Sequence, residues 1–477
     1  MTSKDFIALL PLLILAATAT AVMLGVAVRR SHRVAAILTF IGLAMSFGSL
    51  WMAAGVAPRQ VTPLLVMDQY AVFYIGLILA ATMAVVLFSY GYFEKCEGDH
   101  DELYILMLVA TLGSAVLVAS NHFASLFLGL ELLSVALYGM ISYLQLRPLP
   151  VEAGIKYLVL AATSAAFLLF GMALIYAALG TMEFNRIAEQ LAQGTFSRVL
   201  VLAGFAVMVT GFGFKLAVVP FHLWTPDVYE GAPAPVTAFI ATVSKGAMFA
   251  LLLRFFNGTG AHSYAAVSLV FTIIAIASMF TGNILALLQN NVKRILAYSS
   301  IAHLGYVLVA FQAGGSLGPQ AVTFYLVAYF VTTLGAFGVV TLLSSGARDA
   351  DELEDYRGLF WRRPALAGVF TAMLLSLAGI PLTAGFAGKF FVVAAGASVA
   401  TWALIVILVV TSAIGLYYYL RIVVVLYAQA AESPPLTHSL APAGGIALGI
   451  LTVALIFLGV QPGPLLDTIR SMMASVV

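Results

Sequence analysis

The sequence predicts an all-α polytopic membrane protein with about fourteen transmembrane helices. Of its 477 residues, 62% are hydrophobic and only 9% are charged, whereas soluble domains carry roughly a quarter charged residues. Apolar runs of about 17 to 28 residues, long enough to cross a hydrocarbon core roughly 30 Å thick, recur from one end of the chain to the other. Two of these runs contain a proline that interrupts them.

The predicted spans follow one another with short polar links. They lie near residues 6–28, 34–56, 70–93, 103–119, 122–145, 156–180, 199–219, 234–256, 263–288, 294–312, 319–345, 365–395, 400–427 and 443–460. The first run is longer than a signal-peptide core and lacks a small-residue cleavage site, so we expect it to be retained. The polar stretch EFNRIAEQLAQGTFSR, residues 183–198, is expected to form a short interfacial helix.

The basic residues of the short loops divide unequally between the two sides of the predicted membrane. The larger set comprises Arg29, Arg30, Arg33, Lys95, Arg147, Lys156, Lys293, Arg294, Arg348, Arg357, Arg362, Arg363 and Arg421. The smaller set comprises Lys4, Arg59, Arg186, Arg198, Arg254 and Arg470. Because cytoplasmic loops carry the excess of Lys and Arg, both chain termini are expected outside, in the periplasm.

The two proline interruptions indicate an internal repeat. Pro220 breaks the seventh span and Pro381 the twelfth, which lie five spans apart. A five-helix unit used twice must be inverted in its second copy, because five is odd, and paired interrupted helices point to a transport pathway. The single membrane domain 1–477 would then contain three N-terminal helices (6–93), a first repeat (103–256), a second repeat (263–427) and a last helix (443–460).

Four charged residues lie within the apolar spans: Glu131, Lys215, Lys245 and Lys389. Each costs about 2.5 to 3.5 kcal/mol when it is central and unpaired. Lys245 is about eleven residues, or roughly 16 Å, from either end of its span, too far to reach an interface. Lys215 and Lys389 lie nearer an end and could extend to the interface. Glu131 could instead form a structural ion pair with a lysine.

Two histidines extend this set. In RILAYSSIAHLGYVL, His303 shares a helical face with Ser299 and Tyr306, because residues three and four apart are neighbours on a helix. His222 follows the proline break of the seventh span. Either could be a hydrogen-bonded core histidine, or a member of a polar path through the membrane.

One carboxylate, three lysines and two histidines at membrane depth suit a proton relay. Burial makes a lysine release its proton more readily, and a nearby carboxylate opposes that effect, so protonation responds to hydration and to neighbouring charge. Backbone breaks are tolerated at this depth only where they line a polar cavity. We therefore predict a relay of Glu131, Lys215, Lys245, Lys389, His222 and His303.

The sequence contains no pattern for redox or nucleotide chemistry. It has no Gly-rich dinucleotide fingerprint, no Walker loop and a single cysteine, Cys96, so a cluster held by several thiolates cannot be built from this chain alone. No metal site is expected. The scattered basic residues provide no surface for a nucleic acid. This chain by itself is expected to carry no electrons.

Three stretches closely resemble the antiporter-like membrane subunits of respiratory complex I, NADH:quinone oxidoreductase, which share ancestry with multisubunit sodium/proton antiporters. They are GFGFKLAVVPFHLWTPDVYEGAPAPVTAFIATVSKGAMFALLLRFF, NVKRILAYSSIAHLGY and GIPLTAGFAGKF. The lysine in AGKFF favours the subunit N branch. The resemblance implies a fourteen-helix fold with inverted repeats, in a bacterial inner membrane.

The resemblance also implies residue roles and partners. Glu131 would be the fifth-helix glutamate, Lys215 its lysine partner, Lys245 the central lysine and Lys389 the lysine facing the exit side. His222 and His303 would occupy polar positions between them. The chain would carry no cofactor and would pump protons, while partner subunits would carry NADH, FMN, iron–sulfur clusters and quinone. Its partners would be other membrane subunits, including neighbouring antiporter-like ones.

Two other functions are compatible with the same residues. A subunit of a cation/proton antiporter would show sodium-dependent transport. A structural membrane scaffold of a respiratory complex would hold its charges as static pairs, and removing those charges would leave pumping unchanged.

Overall fold

The computed structural model describes residues 2–261, 264–429 and 442–474. Its helices are α1 Ser3–Val28, α2 His32–Ala54, α3 Gln69–Phe93, α4 Glu102–Ala119, α5 Phe123–Ile141, α6 Pro148–Leu179, α7 Phe184–Gln193, α8 Arg198–Leu216, α9 Trp224–Gly231, α10 Ala234–Phe239, α11 Lys245–Thr259, α12 Ala265–Leu287, α13 Val292–Gln312, α14 Leu317–Leu343, α15 Leu359–Arg362, α16 Pro364–Ala378, α17 Ala384–Ser398, α18 Trp402–Tyr427, α19 Pro442–Val460 and α20 Gly463–Ala474. A π-helical turn, Ile240–Ser244, joins α10 to α11.

The predicted membrane spans are present as helices. Among the described residues, thirteen helices are long and apolar enough to cross a bilayer, counting Ala234–Thr259 as one span. The predicted twelfth span consists of two shorter apolar helices, α16 and α17. The fold class predicted from the sequence is therefore confirmed. The predicted interfacial helix is also present, as α7.

A β-hairpin and a C-terminal helix are among the elements that were not predicted. A short antiparallel hairpin joins β1 (Arg59–Thr62) to β2 (Leu65–Met67) between α2 and α3. After the last predicted span, α20 packs Ile469 and Met472 into the protein. Neither element contains an apolar run of membrane-spanning length, which was the feature used to find helices in the sequence.

The two spans in which a proline break was predicted are both interrupted. In the seventh, α8 ends at Leu216, Ala217 adopts a left-handed conformation with φ 60°, and α9 begins only at Trp224. In the twelfth, Gly379 ends α16 with φ 87° and Leu382 has φ 70°. Non-glycine residues rarely adopt positive φ, and such residues cluster where a fold is strained for function.

Three spans form the centre of the protein. The most apolar window of Ala234–Thr259 is entirely buried, and the corresponding windows of α13 and α14 are 94% and 89% buried. The outer helices α1 and α19 are only 28% and 33% buried. Polar residues on the three central helices are therefore shielded from lipid by the rest of the chain.

Two equivalent backbone bridges join loops in the two halves of the chain. His122, just before α5, pairs with Glu183, whereas Asn291, just before α13, pairs with Glu352. The bond from Phe123 N to Met182 O in the first bridge has its counterpart in the bond from Val292 N to Asp351 O in the second. Each bridge ties the link before one span to the link after the following span.

Candidate functional site

Lys215, in the last turn of α8, is buried among hydroxyl groups. Its Nζ donates to Ser134 Oγ at 2.7 Å and to Tyr157 OH at 3.0 Å. The ammonium also lies 5.1 Å from the centroid of the Tyr157 ring. Because only 3% of the residue is exposed, Lys215 does not extend to the membrane surface. Its hydrogen-bond acceptors are neutral.

Glu131 lies one turn before Ser134 on α5, but it makes no direct ion pair. Within the described part of the chain, no basic side chain approaches its carboxylate to 4.0 Å. Its charge lies one turn of α5 from Ser134, which binds the Lys215 ammonium, so the two opposite charges attract each other without direct contact. The carboxylate is only partly buried, and it shares its face of α5 with Leu128 and Val135, which are 62% and 61% exposed.

Lys245 is the first residue of α11, directly after the π-helical turn. Its Nζ donates to Ser300 Oγ at 2.6 Å and lies 5.1 Å from the centroid of the Tyr229 ring. The residue is 1% exposed. A π-helical turn inserts an extra residue into a helix and often occurs at functional sites. Here it sets the direction in which the helix presents Lys245.

Ser300, on α13, connects Lys245 to two tyrosines. Its Oγ accepts a hydrogen bond from Tyr329 OH at 2.8 Å, and Tyr229 OH lies 3.5 Å away. These residues come from α9, α13 and α14, so the Lys245 ammonium lies where three elements meet. Hydroxyl groups can both donate and accept, so Ser300 can pass a proton as well as hold the lysine.

His303, one turn further along α13, uses both ring nitrogens. Nδ1 is 2.7 Å from Tyr325 OH and Nε2 is 3.1 Å from Tyr419 OH. Tyr419 OH in turn hydrogen-bonds to Ser299 Oγ, the residue that the helical spacing placed beside His303. The imidazole therefore belongs to a continuous series of exchangeable groups between α13, α14 and α18.

Lys389, on α17, caps the broken end of α16. Its Nζ donates to Leu377 O at 3.0 Å, to Ala378 O at 2.8 Å and to Ser412 Oγ at 2.6 Å. The last carbonyls of a helix have no partner within it, so the ammonium satisfies groups that the break sets free. Nζ also lies 5.2 Å from the centroid of the Tyr306 ring. This geometry differs from a lysine that extends to the interface.

His222 lies in the irregular segment between α8 and α9 and is separate from these contacts. The residue is 8% exposed and its Nδ1 is buried without a hydrogen-bond partner among the described residues. A buried unpartnered nitrogen in a polar site is commonly satisfied by an ordered water. The structure thus arranges Lys215, Lys245, His303 and Lys389 in polar clusters, and leaves Glu131 and His222 beside them.

The hydroxyl groups of these clusters were mostly missed in the sequence. The lysines and His303 contact the hydroxyl groups of Ser134, Tyr157, Ser300, Tyr325, Ser412 and Tyr419. Tyr229 and Tyr329 join the same clusters through Ser300. Serine is common in membrane helices because its hydroxyl can bond to a backbone carbonyl one turn away, and tyrosine is common because most of its side chain is apolar. Only Ser299 and Tyr306 could be identified from the sequence, because their spacing places them on the same helical face as His303.

The described residues contain no group of three or more His, Cys, Asp or Glu side chains that could hold a metal ion.

The chain matches known proteins over most of its length. Residues 120–415 match the family described as NADH:quinone oxidoreductase/Mrp antiporter, TM. NADH-quinone oxidoreductase subunit N of Ectopseudomonas mendocina is 51% identical over 98% of this chain and 97% of its own. The chain belongs to the NADH-quinone oxidoreductase subunit N family. All six residues of the predicted relay fall within the matched range 120–415.

Chains of solved structures share the fold of this chain. A chain of respiratory complex I from Thermus thermophilus, solved with bound aureothin, has 34% identity and a TM-score of 0.83, with 96% of this chain and 98% of that chain covered. A chain of the Mrp complex from Dietzia has a TM-score of 0.86 at 20% identity, covering 100% of this chain and 98% of its own. The second likeness concerns the fold alone.

Proposed function

We propose that this chain is the proton-translocating subunit N of a bacterial NADH:quinone oxidoreductase, complex I. It acts as part of a translocase whose redox groups, namely FMN, iron–sulfur clusters and the quinone site, lie in partner subunits. One observation carries the proposal: Lys215, Lys245 and Lys389 are held by hydroxyl and carbonyl oxygens rather than by carboxylates. An ammonium paired with a buried carboxylate is held in its charged form, whereas one held by neutral groups can release its proton.

The proposed path runs along the three central helices. Lys245 exchanges protons with Ser300 and Tyr329, and the Tyr329 ring lies 5.7 Å from the His303 ring, centroid to centroid. Among the described residues, no direct hydrogen bond joins Lys215 to the Lys245 cluster or His303 to Lys389. Proton transfer across these two gaps requires water. The unpartnered Nδ1 of His222 can bind a water molecule in the irregular segment that follows Lys215.

The outer face of α5 supports an assembly with neighbouring membrane subunits. Glu131 is partly exposed between Leu128 and Val135, which face away from the protein. A carboxylate that faced lipid at this depth would be costly. We therefore expect another membrane subunit to cover this face, so that Glu131 senses charges in its neighbour as well as Lys215.

The two loop bridges support the inverted five-helix repeats within residues 103–256 and 263–427. The bridges join His122 to Glu183 and Asn291 to Glu352, and each lies at the same place relative to its own spans. Five predicted spans separate the links that contain His122 and Asn291, so in the proposed arrangement the two bridges are on opposite sides of the membrane. With the larger set of basic residues in the cytoplasm, both termini would be periplasmic.

The function is tested with the whole complex reconstituted in proteoliposomes. We expect NADH to drive proton uptake, reported by a lumenal pH dye, equally well in sodium-free and sodium-containing buffer. A strict requirement for sodium would favour the cation/proton antiporter. Proton uptake that survived neutralisation of every buried lysine would favour a structural scaffold.

Glu131→Gln is expected to reduce NADH-driven proton uptake while the complex still assembles. Glutamine keeps the size of the side chain but removes the charge that interacts with Lys215, and a coupling of about 1 kcal/mol corresponds to roughly a fivefold change. Glu131→Asp should retain more activity. Native gel electrophoresis and proton uptake measure the two effects, and normal uptake by the glutamine variant would reduce Glu131 to a structural polar group.

A further inference from the structure

We propose that Lys293, which lies outside the relay described above, is a positioning residue that holds the Lys245-bearing span in register with α13. Lys293 is the second residue of α13, and its side chain is entirely buried. The proposal rests on the proposed function, since the register matters only if Lys245 and Ser300 exchange protons.

Lys293 binds the junction between α9 and α10. Its Nζ donates to Glu230 O at 2.8 Å and to Ala232 O at 2.7 Å. Both carbonyls lie at the end of α9, where the helix leaves its last carbonyl groups without intrahelical partners. The ammonium thus attaches α13 to the point from which the chain enters α10 and then reaches Lys245.

Asp349 completes the arrangement from the link that follows α14. Its Oδ2 accepts from Lys293 Nζ at 2.6 Å, and its Oδ1 accepts from Tyr92 OH, on α3, at 2.6 Å. The Asp349 side chain is 10% exposed. One buried ion pair therefore joins α3, α13, the α9–α10 junction and the link after α14.

Two contacts then fix α13 against the Lys245-bearing span. Lys293 and Ser300 are seven residues apart, so they share one face of α13 and are about 10 Å apart along its axis. Lys293 binds Ala232 O at one point, and Ser300 accepts from Lys245 at the other. Two attachment points define both the position and the rotation of one helix relative to another, which a single contact cannot do.

The contact between Lys293 and Ala232 is important because a π-helical turn follows it in the chain. Ile240–Ser244 lies between the Lys293 contact and Lys245, and a π-turn can rearrange to regular helix and rotate the residues after the turn. Holding the start of the span at Ala232 confines such a change to the segment that carries Lys245. Lys293 thereby fixes the end of the span from which the π-turn directs Lys245 towards Ser300.

The experiment compares four variants of the assembled complex: Lys293→Met, Lys293→Arg, Asp349→Asn and the double variant Lys293→Met/Asp349→Asn. Because Lys293→Met alone leaves a buried carboxylate unpaired, it can fail to assemble. The double variant removes both charges while keeping the shapes of both side chains. The exposed pair of Arg357 and Glu354 supplies the matched control, Arg357→Gln/Glu354→Gln. Assembly is measured by native gel, and proton uptake is measured per NADH oxidised.

We expect the double variant to assemble and to pump roughly three- to tenfold fewer protons per NADH, since proton transfer is sensitive to small misplacements. Lys293→Arg should recover part of this loss, because it keeps a cation beside Asp349. The control pair should pump normally. Wild-type pumping by an assembled double variant would overturn the proposal. If variants of Lys245 and Lys215 were also fully active, the proposed function itself would fail, so the two failures are distinguishable.

Discussion

Lys245→Ala is expected to reduce NADH-driven proton uptake to about a tenth of the wild-type rate or less, because loss of a proton-transferring group typically costs a factor of about a hundred or more. Lys245 is 1% exposed and its ammonium contacts Ser300 Oγ and the Tyr229 ring. No other basic group in these contacts can replace it. Assembly should survive, because Ser300 keeps its hydrogen bond from Tyr329.

Lys245→Arg separates a carrier of protons from a fixed positive charge. Arginine keeps the charge but does not deprotonate in proteins, so we expect no recovery of pumping. The exposed Lys4 provides control variants, Lys4→Ala and Lys4→Arg, which should pump normally. Proton uptake in proteoliposomes and native gels measure both outcomes. A fully active Lys245→Arg enzyme would show that fixed charge suffices, and the carrier role would have to be abandoned.

The buried charges could be predicted from the sequence because each is an exception to a strong rule. Inserting a lysine in the middle of an apolar span costs free energy, and such residues are rare unless they are functional. Lys245 was therefore recognised from its position alone. Its partner Ser300 was not, because serine fits an apolar helix by bonding to its own backbone. The distances that make Ser300 a partner depend on how α11 and α13 pack, and no local pattern encodes that packing.

Lys293 was wrongly treated as a residue of a solvent-exposed loop. Its place at the beginning of a span made it one of the basic loop residues used to orient the chain, yet the structure buries it entirely against Asp349. Side chains at a helix end that packs against other helix ends can be as inaccessible to water as those in the middle of a span. Only the tertiary fold distinguishes a lysine at such an end from one in water.

The breaks were located by their prolines, but the prolines are only part of their cause. In the twelfth span, Gly379 ends α16 in a left-handed conformation, and Thr383 Oγ1 accepts from Phe386 N to begin α17. Lys389 then satisfies the carbonyls that remain. All of these residues are close to Pro381 in the sequence. Only the structure shows which of them ends α16, which begins α17 and which binds the free carbonyl groups.

Lys215→Met is expected to lower proton uptake about tenfold or more while leaving the protein as stable as before, since methionine replaces a proton carrier with an apolar chain of similar length. We expect unchanged stability because the partners of Lys215, the hydroxyl groups of Ser134 and Tyr157, are neutral. Ser134 Oγ also donates to Leu130 O at 2.5 Å, so the serine keeps a partner when the ammonium is removed. Glu131 is only partly buried and makes no direct ion pair with Lys215 that the substitution would break. Replacing a buried charge by a well-packed apolar group of similar volume is often neutral for stability.

This combination separates a relay residue from a structural one. If Lys215 were a static structural group, the methionine variant would lose stability and keep pumping once assembled; if it carries protons, pumping falls and the thermal unfolding midpoint stays. Tyr157→Phe, which removes one of the two acceptors and keeps the ring, should produce an intermediate loss. Lys4→Met, at an exposed position, should change neither quantity. Proton uptake and thermal unfolding of the purified complex decide the matter, and full pumping by Lys215→Met would remove Lys215 from the path.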